Sequence, residues 1–159
     1  MKRVAIALGI LATVAACGGS TTPTQPTNLQ VFTVTLLPSN ETPPITNAEQ
    51  SSSGTAVITI HKDTNAIDFQ VSVKGLQADS ALTAAHIHNG PAGVPAGVFV
   101  GTNLSAANAP ALSGGAATFT DTESPGADKV SQILANPSGF YFNVHTKLNG
   151  GGVMRGQLQ

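Results

Sequence analysis

Ala66-Ile67-Asp68-Phe69-Gln70-Val71-Ser72-Val73-Lys74 decides the fold class. Ile67, Phe69, Val71 and Val73 alternate with Asp68, Gln70, Ser72 and Lys74, and a period of two gives one apolar and one polar face, a half-buried strand. Immediately upstream, Gly54 to His61 puts Ala56, Ile58 and Ile60 on one side and Thr55, Val57, Thr59 and His61 on the other. The intervening Lys62-Asp63-Thr64-Asn65 is a turn, so the two segments predict a hairpin. Working outward, Leu29 to Leu37 is a first strand stopped by Pro38, and Pro38 to Pro44 is a loop. Further strands are expected at Leu82 to His88, Gly97 to Leu104, Ala116 to Thr122, Phe140 to Thr146 and Val153 to Leu158. Helical spacing occurs once, where Val130, Ile133 and Leu134 share a face within Ala127 to Ala135 and Asn136-Pro137 closes the segment. The pattern predicts an all-β fold, a Greek-key antiparallel β-sandwich of about eight strands with one short helix at an end of the sheets.

Composition agrees with a single small domain. The 159 residues are only 9% charged, against about 25% in an average soluble protein. The 17 Gly and 10 Pro favour turns over a helical bundle. A formal charge of −1 and seven Lys and Arg, two of them in the first three residues, give no electrostatic basis for nucleic-acid binding.

The N-terminus is a processing signal. Lys2 and Arg3 precede an apolar run from Val4 to Ala16 broken only by Thr13, which is too short to span a bilayer as a helix. It ends in Val14-Ala15-Ala16-Cys17, which resembles the lipobox of bacterial lipoproteins, with small side chains at the scissile bond and the chain's single Cys as the acylated residue. Cleavage before Cys17 would leave five basic and eight acidic side chains, a formal charge of −3. The expected organisation is a signal peptide at 1–16, a lipidated Cys17 and flexible tether at 17–28, and one domain at 29–159. Residues Gly18 to Thr27 carry no charge and no large apolar side chain, so they cannot bury surface. The expected location is the cell envelope, outside the cytoplasm, with the membrane engaged through the N-terminal lipid alone. With one Cys, no disulfide forms within the chain.

Chemistry concentrates in two histidine segments. In Ala84-Ala85-His86-Ile87-His88-Asn89-Gly90 a strand places His86 and His88 on one face, about 6–7 Å apart along the chain. In Phe140-Tyr141-Phe142-Asn143-Val144-His145-Thr146, alternation sends Phe140, Phe142 and Val144 to the core and Tyr141, Asn143 and His145 to the other side. Two imidazoles from a rigid strand with a third from a neighbour would make a three-histidine site, His86, His88 and His145, with an open position. The competing reading is a polar cluster in which these imidazoles bond to loop carbonyls. His61, beside a turn, is expected to be solvated.

Three stretches resemble a known family, the CHRD domain first described in chordin and found in bacterial secreted proteins. They are Leu37-Pro38-Ser39-Asn40-Glu41-Thr42-Pro43-Pro44, then Ala84 to Gly93 (AAHIHNGPAG), and Tyr141-Phe142-Asn143-Val144-His145-Thr146 with Arg155-Gly156-Gln157-Leu158. They fall in the family's order, so the resemblance covers about Leu29 to Gln159. It implies an extracellular module of unsettled biochemical activity. One departure is that the family's Pro and Glu before the Arg are here Gly150 and Val153, which removes that Glu as a partner for Arg155. A second resemblance is architectural. Copper/zinc superoxide dismutase is also a Greek-key sandwich with a His-x-His pair, a later His and an Arg near the end, an order met here by His86, His88, His145 and Arg155. That likeness implies copper or zinc, but Gly90 to Gly97 has no His, Asp or Cys, so a second metal and dismutase chemistry are not expected.

Other chemistries lack their residues. There is no Gly-x-Ser-x-Gly elbow, and Gly114-Gly115 and Gly150-Gly151-Gly152 precede strands, not a helix that could cradle phosphate. No catalytic residue is assigned. Two readings follow. One is a lipid-anchored CHRD module that binds another envelope or extracellular protein or ligand. The other is a single copper or zinc ion on His86, His88 and His145, released as pH falls through the histidine range. In that second reading Arg155 would steer an anion to the open position or, more simply, pair with an acid or a strand-end carbonyl.

Overall fold

The computed structural model describes residues 28–159; the expected signal peptide, Cys17 and the expected tether as far as residue 27 lie outside the described residues. Eight strands are present among the described residues: β1 Leu29–Leu36, β2 Ser53–His61, β3 Ala66–Lys74, β4 Leu82–Asn89, β5 Val98–Gly101, β6 Ala117–Glu123, β7 Phe140–Thr146 and β8 Met154–Gln157. One helix, α1 Ala127–Ala135, lies between β6 and β7. No helix of the described residues is long and apolar enough to cross a membrane.

The strands form two four-stranded sheets, β1-β2-β3-β6 and β5-β4-β7-β8, in which every named pairing is antiparallel. After β3 the chain crosses to the second sheet for β4 and β5, and β6 returns to lie beside β3. This is the Greek-key arch, here folded across two layers. The inward residues read from the alternation make the core: Ile58, Ile60, Ile67, Phe69, Val71, Ile87, Phe142 and Val144 are all buried. Phe69 and Phe142 stack across the layers with centroids 5.6 Å apart. Val130 and Ile133 of α1 are buried and Leu134 is packed against the core.

One side of the sandwich is sewn shut. Leu37, just past β1, exchanges two backbone hydrogen bonds with Arg155 of β8, at 3.2 and 3.3 Å. Backbones can meet this closely because Gly156 has no side chain; a Cβ there would lie 2.2 Å from the Thr35 carbonyl.

Two features differ from the sequence reading. The strand expected over Gly97 to Leu104 is only Val98–Gly101. Thr102 still reaches the Ala85 carbonyl through its amide and hydroxyl, but Asn103 turns away to bond Asp121 and Glu123 on β6, so the chain leaves the sheet. His61, expected in solvent, instead bonds Asp68 on the adjacent strand at 2.7 Å.

Candidate functional site

The site grows from the outer face of the β5-β4-β7-β8 sheet. Register pairs His86 with Asn143 and Asn143 with Arg155 in one row, His88 with Tyr141 and Tyr141 with Gln157 in the next, and sets His145 opposite Ala84. The β4–β5 ladder shifts between Ile87 and His88, so Val98 faces His88 and Phe99 is the extra residue of a bulge.

This outer face is not left to water. His88, Tyr141, Asn143 and Arg155 are all buried, although alternation and register put all four on the side away from the core. The cover is three loops. Arg155 Nε donates to the Asn40 carbonyl at 2.6 Å, a second guanidinium nitrogen donates to the Thr42 hydroxyl and a third to the Val94 carbonyl at 3.5 Å. The Asn40 side chain answers by donating to the Arg155 carbonyl at 3.0 Å. Gln157 donates to the carbonyls of Gly90, Ser138 and Phe140, and Leu158 is fully buried. Within Arg155-Gly156-Gln157-Leu158, then, the arginine pins one loop, the glycine permits the seam, the glutamine pins a second loop and the leucine fills the core.

The three imidazoles predicted from sequence do converge. Their centroids are 5.5 Å (His86–His88), 4.9 Å (His86–His145) and 6.2 Å (His88–His145) apart, and one nitrogen from each lies within 4.8 Å of the others. Backbone carbonyls fix two tautomers, because a carbonyl only accepts. His88 Nδ1 donates to Ala96 at 2.9 Å and His145 Nδ1 donates to Gly150 at 3.0 Å. Both neutral rings thus carry their lone pair on Nε2. His86 Nδ1 lies 3.2 Å from His145 Nε2 and so must donate to it. His88 Nε2 is buried and has no partner.

Burial lowers the pKa of all three histidines. His86 falls to about 4, with His145 and His88 adding to the effect; for His88 and His145 burial outweighs the opposing hydrogen bonds to Ala96 and Gly150. The neutral form is the one that coordinates metals. A ring also lies on His88: Tyr141 stacks on it at 4.8 Å with planes 2° apart, and the Arg155 guanidinium covers Tyr141 at 4.5 Å. Tyr141 Oη accepts from the Ala96 amide at 3.2 Å, so the residue that stacks on His88 also holds the loop that orients it.

Asn143 and Arg155, singled out with the histidines, are buried beside the cluster. The Asn143 Oδ1 has no hydrogen-bond partner, and the Arg155 guanidinium is occupied by loop acceptors. The sequence reading missed Glu41 and Tyr141. Glu41 is buried, its Oε2 lies 4.0 Å from Arg155 Nε, and its Oε1 is unpartnered. It supplies an acid to Arg155 from a part of the chain remote from the missing Glu near β8. Burial raises its pKa to about 7, with Arg155 only partly opposing. The signal for Glu41 was present in Asn40-Glu41-Thr42-Pro43-Pro44, an acid inside an otherwise uncharged loop. Gly152 explains the glycine run. Its φ is +125°, and a Cβ there would lie 2.6–2.9 Å from the Asn143 amide and Glu41 Oε1.

The class is thus an all-β sandwich with a dry core between the sheets and, on one outer face, a polar layer of histidines under three loops. The chain belongs to the CHRD domain family, whose sequence pattern it matches over residues 32–158. No curated protein and no solved structure matches it. The three stretches that carried the family resemblance meet in this one layer: the 37–44 loop through Arg155, the 84–93 segment through His86 and His88, and the β7–β8 hairpin through Tyr141, Asn143, His145 and Arg155.

Proposed function

We propose that the protein is a binding module of the CHRD type, held outside the cytoplasm at the cell envelope by lipid on Cys17, and that the histidine-bearing outer face is its binding surface. One observation carries the reading: around the half-buried His86 and His145, large apolar side chains stand in water. Val98 faces His88 across the ladder, Val94 is in the loop that supplies the Ala96 carbonyl, and Leu148 is in the loop that supplies the Gly150 carbonyl; all three are exposed. Apolar groups bordering a polar centre suit the contact surface of a ligand or partner. The outer face of the other sheet offers mainly Thr, Ser and Gln, with Val31 as its exposed large apolar side chain.

The test uses the full chain in a bacterial host, with alkyne-palmitate labelling and a photo-crosslinking residue placed at Val98 or at Thr120. Palmitate should label the wild-type chain and not Cys17→Ala, and the variant should leave the membrane fraction. Crosslinks to an envelope component should form from Val98 and not from Thr120. Labelling that survives Cys17→Ala would overturn the anchor, and equal capture from both positions would overturn the assignment of the face.

A further inference from the structure

We infer that His86, His88 and His145 form a mononuclear site for a late first-row divalent metal ion, copper(II) or zinc(II), with its fourth position open to solvent. This names the ligand of the face proposed above as the binding surface, and it depends on neither the lipid anchor nor a macromolecular partner.

The argument starts from hydrogen positions. The Ala96 and Gly150 carbonyls force the protons of His88 and His145 onto Nδ1 and leave a lone pair on each Nε2, that of His145 aimed at His86 Nδ1 3.2 Å away. Carbonyl acceptors behind the ligating ring are the usual outer shell of a metal-bound histidine, because they fix both tautomer and ring orientation. His88 Nε2 is buried with no donor to meet it. Leaving a buried acceptor unpaired is unfavourable, and no protein group among the described residues meets this one.

Geometry then selects the ion. Two nitrogens held by one tetrahedral ion at about 2.0–2.1 Å lie about 3.3–3.4 Å apart. His86 Nδ1 and His145 Nε2 are 3.2 Å apart, so an ion can take the place of the proton they share, with His86 shifting its own proton to Nε2. The orphaned lone pair of His88 becomes the third ligand, and the cluster, now spread over 4.8 Å, closes by about 1.5 Å through side-chain rotation. Three imidazoles and no carboxylate in the cluster exclude calcium and magnesium, which take oxygen ligands, and suit copper and zinc. No electron transfer is implied; the ion replaces the shared hydrogen bond, and each ring stays neutral.

The test is titration of the purified full-length chain, stripped with chelator, with Cu(II) or Zn(II) in separate arms. It is read by calorimetry and by elemental analysis of the desalted protein, with the nitrogen hyperfine splitting of the bound Cu(II) as a third readout. One equivalent should bind, with several nitrogen ligands resolved. His86→Ala, His88→Ala and His145→Gln should each weaken it at least 100-fold, and His61→Ala, which removes the one other histidine, should leave it unchanged. Circular dichroism and thermal unfolding confirm that each variant is folded, and the milder His145→Gln guards against a misfolded alanine variant. Failure of the parent to retain an equivalent, or unchanged affinity in His145→Gln, would overturn the site. Loss of metal binding with crosslinking from Val98 intact would condemn the metal alone; the reverse outcome would condemn the proposed partner surface alone.

Discussion

The two sheets turn outward in opposite ways. On β1-β2-β3-β6 the outward residues are those alternation assigns: Thr33, Thr35, Gln70, Ser72, Lys74, Thr118 and Thr120 are exposed, and Thr55, Val57 and Thr59 of the inner strand β2 are half-buried. On β5-β4-β7-β8 the outward residues His88, Tyr141, Asn143 and Arg155 are buried under loops. Both faces are polar in sequence, so polarity alone does not make a surface. What separates them is donor geometry: a planar guanidinium and a glutamine amide reach loop carbonyls that hydroxyls on the first sheet do not reach. The second face is in effect another interior, built from polar contacts in place of apolar ones, and a polar interior of this kind is the setting in which functional groups acquire shifted pKa values.

Arg155 should therefore produce the largest difference between the faces. Arg155→Met keeps the aliphatic stem and its packing, but it strips the donors from Asn40, Thr42 and Val94 and leaves the Glu41 carboxylate without its cation. Each buried acceptor left without its donor costs about 1–3 kcal/mol, and with three donors stripped the loss should be about 3–5 kcal/mol in urea unfolding at pH 7. The 37–44 loop should also become a site of rapid proteolysis. A loss below about 1 kcal/mol would mean that the loops cover this face without its help.

The same contrast explains how much was legible in the sequence. The core of the first sheet could be read residue by residue, because Ile67 to Val73 and Ala56 to Ile60 follow a strict period of two. On β7 the period predicts which way Tyr141 and Asn143 point and predicts it correctly, yet both are buried, since covering loops are contributed from residues about fifty and a hundred positions away. The histidines were legible as a set because His-x-His on a strand fixes two directions at once. Glu41 was not, because its importance arises only where Arg155 folds onto it, and a single acid in a loop carries no period. The early end of β5 was not legible for a related reason: Asn103 looks like a strand end only once Asp121 and Glu123 are beside it.

Glu41 sharpens the comparison through pH. Its pKa rises from an ordinary 4.5 to about 7 on folding, so between those values the folded chain holds a proton that the unfolded chain has released. Stability then falls as pH rises through this window, and the penalty is complete above pH 7. After discounting for partial access of solvent, the effect is about 2 kcal/mol. Glu41→Gln should abolish it: the stability difference, variant minus parent, should grow by that amount from pH 5 to pH 8 in matched urea titrations. Parallel curves for parent and variant would show that Glu41 is ionised throughout and that Arg155 stabilises it more than burial opposes it.

The smallest effect belongs to the first sheet. Thr120 lies on the exposed face of the edge strand β6, opposite Gln70, and donates no hydrogen bond to a neighbour's side chain. Thr120→Ala removes a β-branched side chain and leaves no buried group unpaired, so its cost should stay within about 0.5 kcal/mol. The more demanding measurement is the double variant with Arg155→Met. The two positions stand on opposite outer faces, separated by two sheets packed about 10 Å apart, and share no hydrogen-bonding partner. Their unfolding free energies should add to within about 0.5 kcal/mol. A larger coupling would mean that loosening the loops over β7 and β8 is felt through the core at β6, and that the polar layer helps to set the packing between the sheets.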